Sequence, residues 1–106
     1  MTNVLINAPK TARKGEVIEL KALIMHPMET GFRPGTNGRL IPRNIIERFS
    51  ASWNGSEFFR MDFSPAIAAN PFVSFFAVAT ESGKITFRWT GDEGFTAEES
   101  VAIDVA

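Results

Sequence analysis

With 106 residues, a formal net charge of −1, 44% hydrophobic residues and no cysteine, the chain has the size of one domain, expected over residues 1–106. It carries enough apolar material for a core without staples. Dispersed charge leaves no basic stripe for nucleic acid, and no run of about eighteen apolar residues is present to cross a bilayer. The missing cysteines exclude disulfides, thiolate nucleophiles and cysteine-ligated metals. The stretch Met1–Lys10 lacks the basic start, apolar run and cleavage site of a secretory signal, so the chain is expected in the cytoplasm or as cargo exported by another protein.

Taken in order, the chain reads as short strands broken by turns. Thr2 to Asn7 is a first strand, with Val4 and Ile6 on one face, ended at Pro9. Lys14-Gly15 turns into a long strand from Glu16 to about His26. Its first half alternates: Ile18, Leu20, Ala22 and Ile24 fall on one face, Glu19 and Lys21 on the other, the period of a half-buried strand. At Leu23 and Met25 the second face turns apolar as well, so this end is either covered on both sides or exposes an apolar patch. Pro27 stops the ladder, and a Gly- and Pro-rich loop follows from Met28 to Gly38.

The third strand places Ile45, Phe49, Ala51 and Trp53 on one face, interrupted by Glu47. Asn54-Gly55 then signals a tight hairpin, whose type I′ turn needs positive φ at both central residues. The return strand, Ser56 to Phe63, sets Phe59, Met61 and Phe63 against Phe58, Arg60 and Asp62. Ser64 to Pro71 is framed by two prolines and reads as one turn connecting two sheets. Phe72 to Thr80 is apolar on both faces, as expected of a central strand. After Glu81-Ser82-Gly83, the strand from Lys84 to Thr90 buries Ile85, Phe87 and Trp89. Gly91 to Gly94 turns again, and Phe95, Ala97, Val101, Ile103 and Val105 line the inner face of the last strand. About seven strands at this spacing, with no helical periodicity, fit an all-β, immunoglobulin-like antiparallel β-sandwich; a small barrel is the alternative.

Few residues carry chemistry. His26 is the only histidine, and one imidazole with Glu29 nearby makes a weak metal site. It is expected to hold the start of the loop through hydrogen bonds to backbone. A copper or iron site built from His26, Met25 and Met28 is the alternative, against adaptable packing by the two methionines. Gly31, Gly35 and Gly38 match no phosphate cradle. Arg33, Arg39, Arg43 and Arg48 could bind an anion, but are read as a solvated face paired with Glu29 and Glu47. Asp92, Glu93, Glu98 and Glu99 are read as turn and edge-strand charges. Trp53 and Trp89 would be stacking platforms in a carbohydrate-binding module, and are expected to be buried. No catalytic residue, cofactor or metal is assigned.

Several stretches taken together resemble the SoxZ family. They are Lys14-Gly15-Glu16-Val17-Ile18-Glu19-Leu20-Lys21, the loop His26-Pro27-Met28-Glu29-Thr30-Gly31-Phe32-Arg33, Ile41-Pro42-Arg43-Asn44-Ile45-Ile46 and Trp53-Asn54-Gly55. Pro65-Ala66-Ile67-Ala68-Ala69-Asn70-Pro71-Phe72 and Ala79-Thr80-Glu81-Ser82-Gly83 complete the set. The resemblance implies an immunoglobulin-like, non-catalytic subunit of a periplasmic complex that oxidises thiosulfate. There a SoxY subunit carries the intermediates on a cysteine, and its signal peptide exports both chains. With no cysteine here, the SoxY contact would be non-covalent. A heterodimer needs an apolar interface with a polar rim, burying roughly 1,600 Å² or more in total. Leu23, Met25, Met28 and Phe32 are the candidates for its centre, with Glu29 and Arg33 at the rim. Alternatively, Leu23 and Phe32 close one end of the sandwich.

Overall fold

A computed structural model describes residues 3–106. Eight strands are present among them: β1 (Val4–Asn7), β2 (Thr11–Ala12), β3 (Val17–Ile24), β4 (Ile46–Trp53), β5 (Ser56–Asp62), β6 (Phe72–Val78), β7 (Gly83–Gly91) and β8 (Thr96–Val105). They form two sheets, one of three strands in the order β1-β3-β6 and one of five in the order β2-β8-β7-β4-β5. The fold is the expected all-β sandwich, with one strand more than expected. Thr2, the expected start of the first strand, lies outside the described residues.

The extra strand arises at Pro9. Proline cannot continue the β1–β3 ladder, so the chain leaves one sheet there and enters the other. Thr11 and Ala12 then pair in parallel with Asp104 and Val105, the single parallel pairing among the described residues. The bonds that close this seam run from Asp104 N to Lys10 O at 2.9 Å and from Ala106 N to Ala12 O at 3.0 Å.

The core is built by alternation, adjusted by two bulges. Ile18, Leu20, Ala22 and Ile24 of β3, with Val73 and Phe75 of β6 beside them in the same sheet, face Phe49, Ala51, Ile85, Phe87 and Trp89 across the sandwich; all are buried. In β4 the register slips between Ile46 and Arg48. Glu47 is the extra residue of that bulge, which lets Ile46 and Phe49 both point inward although three positions apart. A second slip lies between Ala51 and Ser52 opposite β5, where Ala51 pairs with Phe59 but Ser52 with Glu57. Phe58 is left over there. It was expected on the outer face with Arg60 and Asp62, yet its ring lies 5.9 Å from Trp53 and 6.1 Å from Phe75. The bulge turns it toward the core rim.

Asn54 and Gly55 adopt φ of 49° and 87°, the two positive values the tight turn requires. Asn54 also ties two turns together, because its side-chain oxygen accepts from Lys84 N at 2.9 Å and its amide donates to Ser82 O at 3.1 Å. Gly91 is fixed by space: a Cβ there would stand 2.3 Å from Ile45 O, against the bulged end of β4. The connection from β5 to β6 is one turn, with Ile67 N bonded to Ser64 O at 3.0 Å.

One expectation is reversed. Among the described residues β6 pairs only with β3, and it forms the edge of the three-stranded sheet. Phe72, Ser74, Phe76 and Val78 alternate with its buried residues and are exposed. Its two-sided apolarity therefore marks a strand with an uncovered outer face, not a central position.

An apolar sheet face and a projecting arm

The outer face of the three-stranded sheet is assembled by register. Leu5 lies opposite Leu23, and Leu23 opposite Phe72, so one apolar row crosses all three strands. Met25 extends it by one position, its backbone N bonded to Asn3 O at 2.9 Å. Asn7, Lys21 and Ser74 form the next row, and Ser74 Oγ donates to Glu19 at 2.8 Å. Beyond this polar stripe Phe76 faces Glu19, and Val17 faces Val78. Leu5 is 67% exposed, Phe72 58% and Phe76 66%. Together with Met25, Val17 and Val78 they offer roughly 600 Å² of apolar surface, divided in two by the polar stripe, where the largest single patch on a monomer is about 300–600 Å². A standard interface takes about 800 Å² from each partner.

From the end of β3 the chain enters a second feature. His26 is buried, and its backbone N donates to the Asn70 side chain at 2.9 Å while its carbonyl accepts from Asn70 N at 2.8 Å. Its Nδ1 accepts from Met28 N at 3.0 Å, and its ring stands edge-on to Phe95 at 4.9 Å. The expected backbone-anchoring role is thus present. Accepting a hydrogen bond at Nδ1 requires the neutral ring, and burial pushes the His26 pKa down, opposed by the nearby Asp92 charge.

Met28 departs from its expected position. Its φ of 51° turns the side chain inward, where it joins the core cluster and its sulfur accepts from Ile46 N at 3.3 Å. It is closed to a partner in this chain. Beyond it, Glu29 pairs with Asn44, with both N–H···O bonds at 2.8 Å, and an antiparallel hairpin arm leads away from the body. Pro34 sits opposite Leu40, flanked by bonds from Ile41 N to Arg33 O at 2.8 Å and from Gly35 N to Arg39 O at 2.7 Å. The overall extents of 58 × 20 × 20 Å and the radius of gyration of 16.1 Å exceed the roughly 13 Å of a compact chain this long. Every residue from Phe32 to Leu40 except Gly35 is exposed, Phe32 at 78%.

The arm's base is clasped by charge. Arg43 donates to both oxygens of Asp92, at 2.9 and 2.8 Å, and Asp92 also accepts from Ile45 N at 3.1 Å. These bonds favour the ionised carboxylate and hold the Asp92 pKa below the usual range, led by the Arg43 contact. Asp92 was expected to be a simple turn charge; the 3-10 turn Asp92–Gly94 instead locks the arm to the start of β8. Gly31 makes the crossing possible, since its φ is 90° and a Cβ there would stand 3.1 Å from the Arg43 Cβ. Further out, Arg33 pairs bidentately with Glu29, which lowers the Glu29 pKa.

The candidate residues therefore divide into three groups. Leu23 and Met25 lie on the sheet face. Glu29, Phe32 and Arg33 lie on the arm, and Met28 lies in the core. Sequence reasoning missed Leu5, Val17, Phe72, Phe76 and Val78, which only the strand order brings beside Leu23. The double apolarity of β6 was their one signal.

The other readings lose their geometry. Met25 and His26 point to opposite sides of the strand, and the Met28 sulfur is occupied by a backbone donor. Among the described residues no group of three or more His, Cys, Asp or Glu side chains could hold a metal ion. Three of the four arginines are held by carboxylates, Arg33 by Glu29, Arg43 by Asp92 and, at 3.5 Å, Glu47, and Arg48 by Asp62, while Arg39 is exposed on the arm. Trp53 and Trp89 are both buried, so neither is a stacking platform.

Strand order, core and uncovered face define an immunoglobulin-like sandwich, and solved structures share it. Superoxide reductase (neelaredoxin) from Ignicoccus hospitalis aligns at TM-score 0.76 with 18% identity, over 97% of this chain and 80% of that one. The sulfur carrier protein SoxY from Chlorobium limicola f thiosulfatophilum aligns at TM-score 0.67 with 13% identity, over 97% and 78%. A putative superoxide reductase from Thermotoga maritima aligns at TM-score 0.70 with 18% identity, over 97% and 85%. At these identities the likeness is one of fold. No curated protein matches the sequence. The family model for the sulphur oxidation protein SoxZ matches residues 6–102, and the chain belongs to the SoxZ family.

Proposed function

We propose that this chain is the non-catalytic, supporting subunit of a sulfur-carrier heterodimer, binding a SoxY-type subunit through the outer face of its three-stranded sheet. The observation that carries the reading is the row Leu5, Leu23 and Phe72 with Met25, an apolar surface left open on a SoxZ-family chain. Glu29, Phe32 and Arg33 give the partner a second contact on the arm. Holding a sulfur atom through successive oxidations needs a covalent S–S anchor, which a thiolate forms and a thioether does not. This chain has no cysteine, so the anchor belongs to the partner. The complex works in the periplasm, and this subunit travels there bound to a partner that bears the export signal.

Titration calorimetry of the folded chain against a SoxY-type subunit tests this. Leu23→Asp sets an unpaired carboxylate in the middle of the row, and desolvating it in an apolar contact is costly. A loss of about 100-fold or more in affinity is expected, with the fold retained. Phe32→Ser, tested separately, should cost less, about tenfold, because the arm is the outer contact. Unchanged affinity in Leu23→Asp would move the interface elsewhere. Intact-mass spectrometry of the pair after reaction with thiosulfate and the enzymes that load the carrier should find adducts on the partner alone.

A further inference from the structure

Three strand edges of this sandwich are blunted in recognisable ways. β2 is two residues long and β1 four. β5 carries Glu57, Arg60 and Asp62, with ion pairs Arg60–Glu57 at 3.9 Å and Arg48–Asp62 at 3.1 Å. Short strands and charges are the devices that keep free edges from pairing with other chains. β6 has neither. It runs Phe-Val-Ser-Phe-Phe-Ala-Val over seven residues, with no charge and no proline inside.

The hydrogen bonds at its two ends show which groups are free. Pro71 O accepts from Ile24 N at 3.2 Å, and Ala79 N donates to Glu16 O at 2.8 Å. N–H and C=O groups alternate sides along a strand. Val73, Phe75 and Ala77 therefore bond to β3, while Phe72, Ser74, Phe76 and Val78 aim their N–H and C=O groups away from it. Nothing else among the described residues pairs with that edge. The Ser74 hydroxyl is already taken by Glu19 on the β3 side, so it does not cap the edge.

We propose that the free edge of β6 is a self-recognition site, at which two copies of this chain pair β6 to β6, antiparallel, about a two-fold axis through Phe75. The register is self-consistent. An antiparallel pair bonds narrow pairs of residues that both face the seam, and this axis sets Phe72 against Val78 of the other copy and Ser74 against Phe76. All four are the outward-aimed residues, so about eight backbone bonds form across the seam. On the outer face a small Ser meets a large Phe and no like charges oppose. The two three-stranded sheets become one continuous sheet, and the apolar rows of the two copies lie side by side on the same surface. The dimer is independent of the carrier-binding reading. It leaves the outer face open to a partner.

A seam of one strand pair is small, below the roughly 1,200 Å² of a standard interface, so the isolated chain associates weakly. Sedimentation velocity from about 10 μM to 1 mM tests it, together with amide hydrogen exchange read residue by residue over the same range. The mass should rise toward the dimer. Protection at Ser74, Phe76 and Val78 should grow at least tenfold with concentration while Val73, Phe75 and Ala77 stay constant. Phe76→Pro removes a seam donor without touching the β3 ladder, and Ser74→Lys places a cation on the edge; each should stay monomeric with its unfolding midpoint near the parent's. Should Phe76→Pro fail to fold, Ser74→Lys and the exchange pattern still decide. A monomer at every concentration, or a dimer unchanged in Ser74→Lys, overturns the proposal. So does protection of these three amides that appears only on adding a SoxY-type subunit, which would assign the edge to the partner's strand.

Discussion

Replacing Phe49 by Ala probes how the sandwich is held together. The side chain is 0% exposed, and its ring meets four others: Trp89 at 5.2 Å, Phe75 at 5.7 Å, Phe59 at 6.1 Å and Phe87 at 6.2 Å. Those neighbours come from β7, β6 and β5, so the ring joins the two sheets and the edge hairpin at once. Truncation withdraws about 110 Å² of buried apolar surface, a loss of about 3 kcal/mol at 25 cal/mol per Å². The hole adds a further 1–2 kcal/mol or so, since rings fixed on three different strands cannot collapse into it fully. The expected loss is about 4 kcal/mol, a large fraction of the roughly 5–15 kcal/mol that holds a small domain folded. For a chain this long it lowers the thermal midpoint by about 15–20 °C. Urea unfolding read by tryptophan fluorescence, with the slope compared to the parent's, measures it. Phe49→Leu fills most of the volume and should cost about 1.5 kcal/mol or less. A loss under about 1 kcal/mol in the alanine variant would refute the reasoning, because the ring could not then be the joint between the sheets.

Two further outcomes follow from the loop that begins at His26. Met28→Ala should destabilise the chain by about 2–4 kcal/mol, since Met28 is buried and its sulfur accepts from Ile46 N, while Met25→Ala, at 48% exposure, should cost under about 1 kcal/mol; comparable losses in urea unfolding would contradict their opposite placement. The depressed His26 pKa gives a sign for pH. The unfolded chain takes up the proton first, so His26 is fully compatible with folding above its ordinary value of 6.5. Stability then falls as pH drops from there toward the lowered folded value. Unfolding midpoints measured between about pH 7.5 and 5 should show this decline, and His26→Gln should remove it; a slope that persists in the variant would assign it to another group.

The all-β class, the turn at Asn54-Gly55 and the inward faces of β3 and β7 were legible in the sequence because each depends on local rules. Alternation decides which side a residue takes, and positive φ decides which residues can turn. The anchoring role of His26 was legible too, since a lone imidazole beside a proline-broken strand has little else to bond. What the sequence could not decide is which strand lies beside which. Phe72, Phe76 and Val78 read the same whether β6 is central or at an edge, and only the order β1-β3-β6 makes them an open face with Leu5 and Leu23. Bulges are equally invisible, because one extra residue at Glu47 or Phe58 shifts the phase of all that follows without altering composition. Asp92 is forty-nine positions from Arg43, so their clasp, and with it the arm's direction, exists only once β4 has paired with β7. Local pattern determined the elements; long-range pairing, which no local propensity encodes, decided which apolar side chains went into the core and which stayed on the open face.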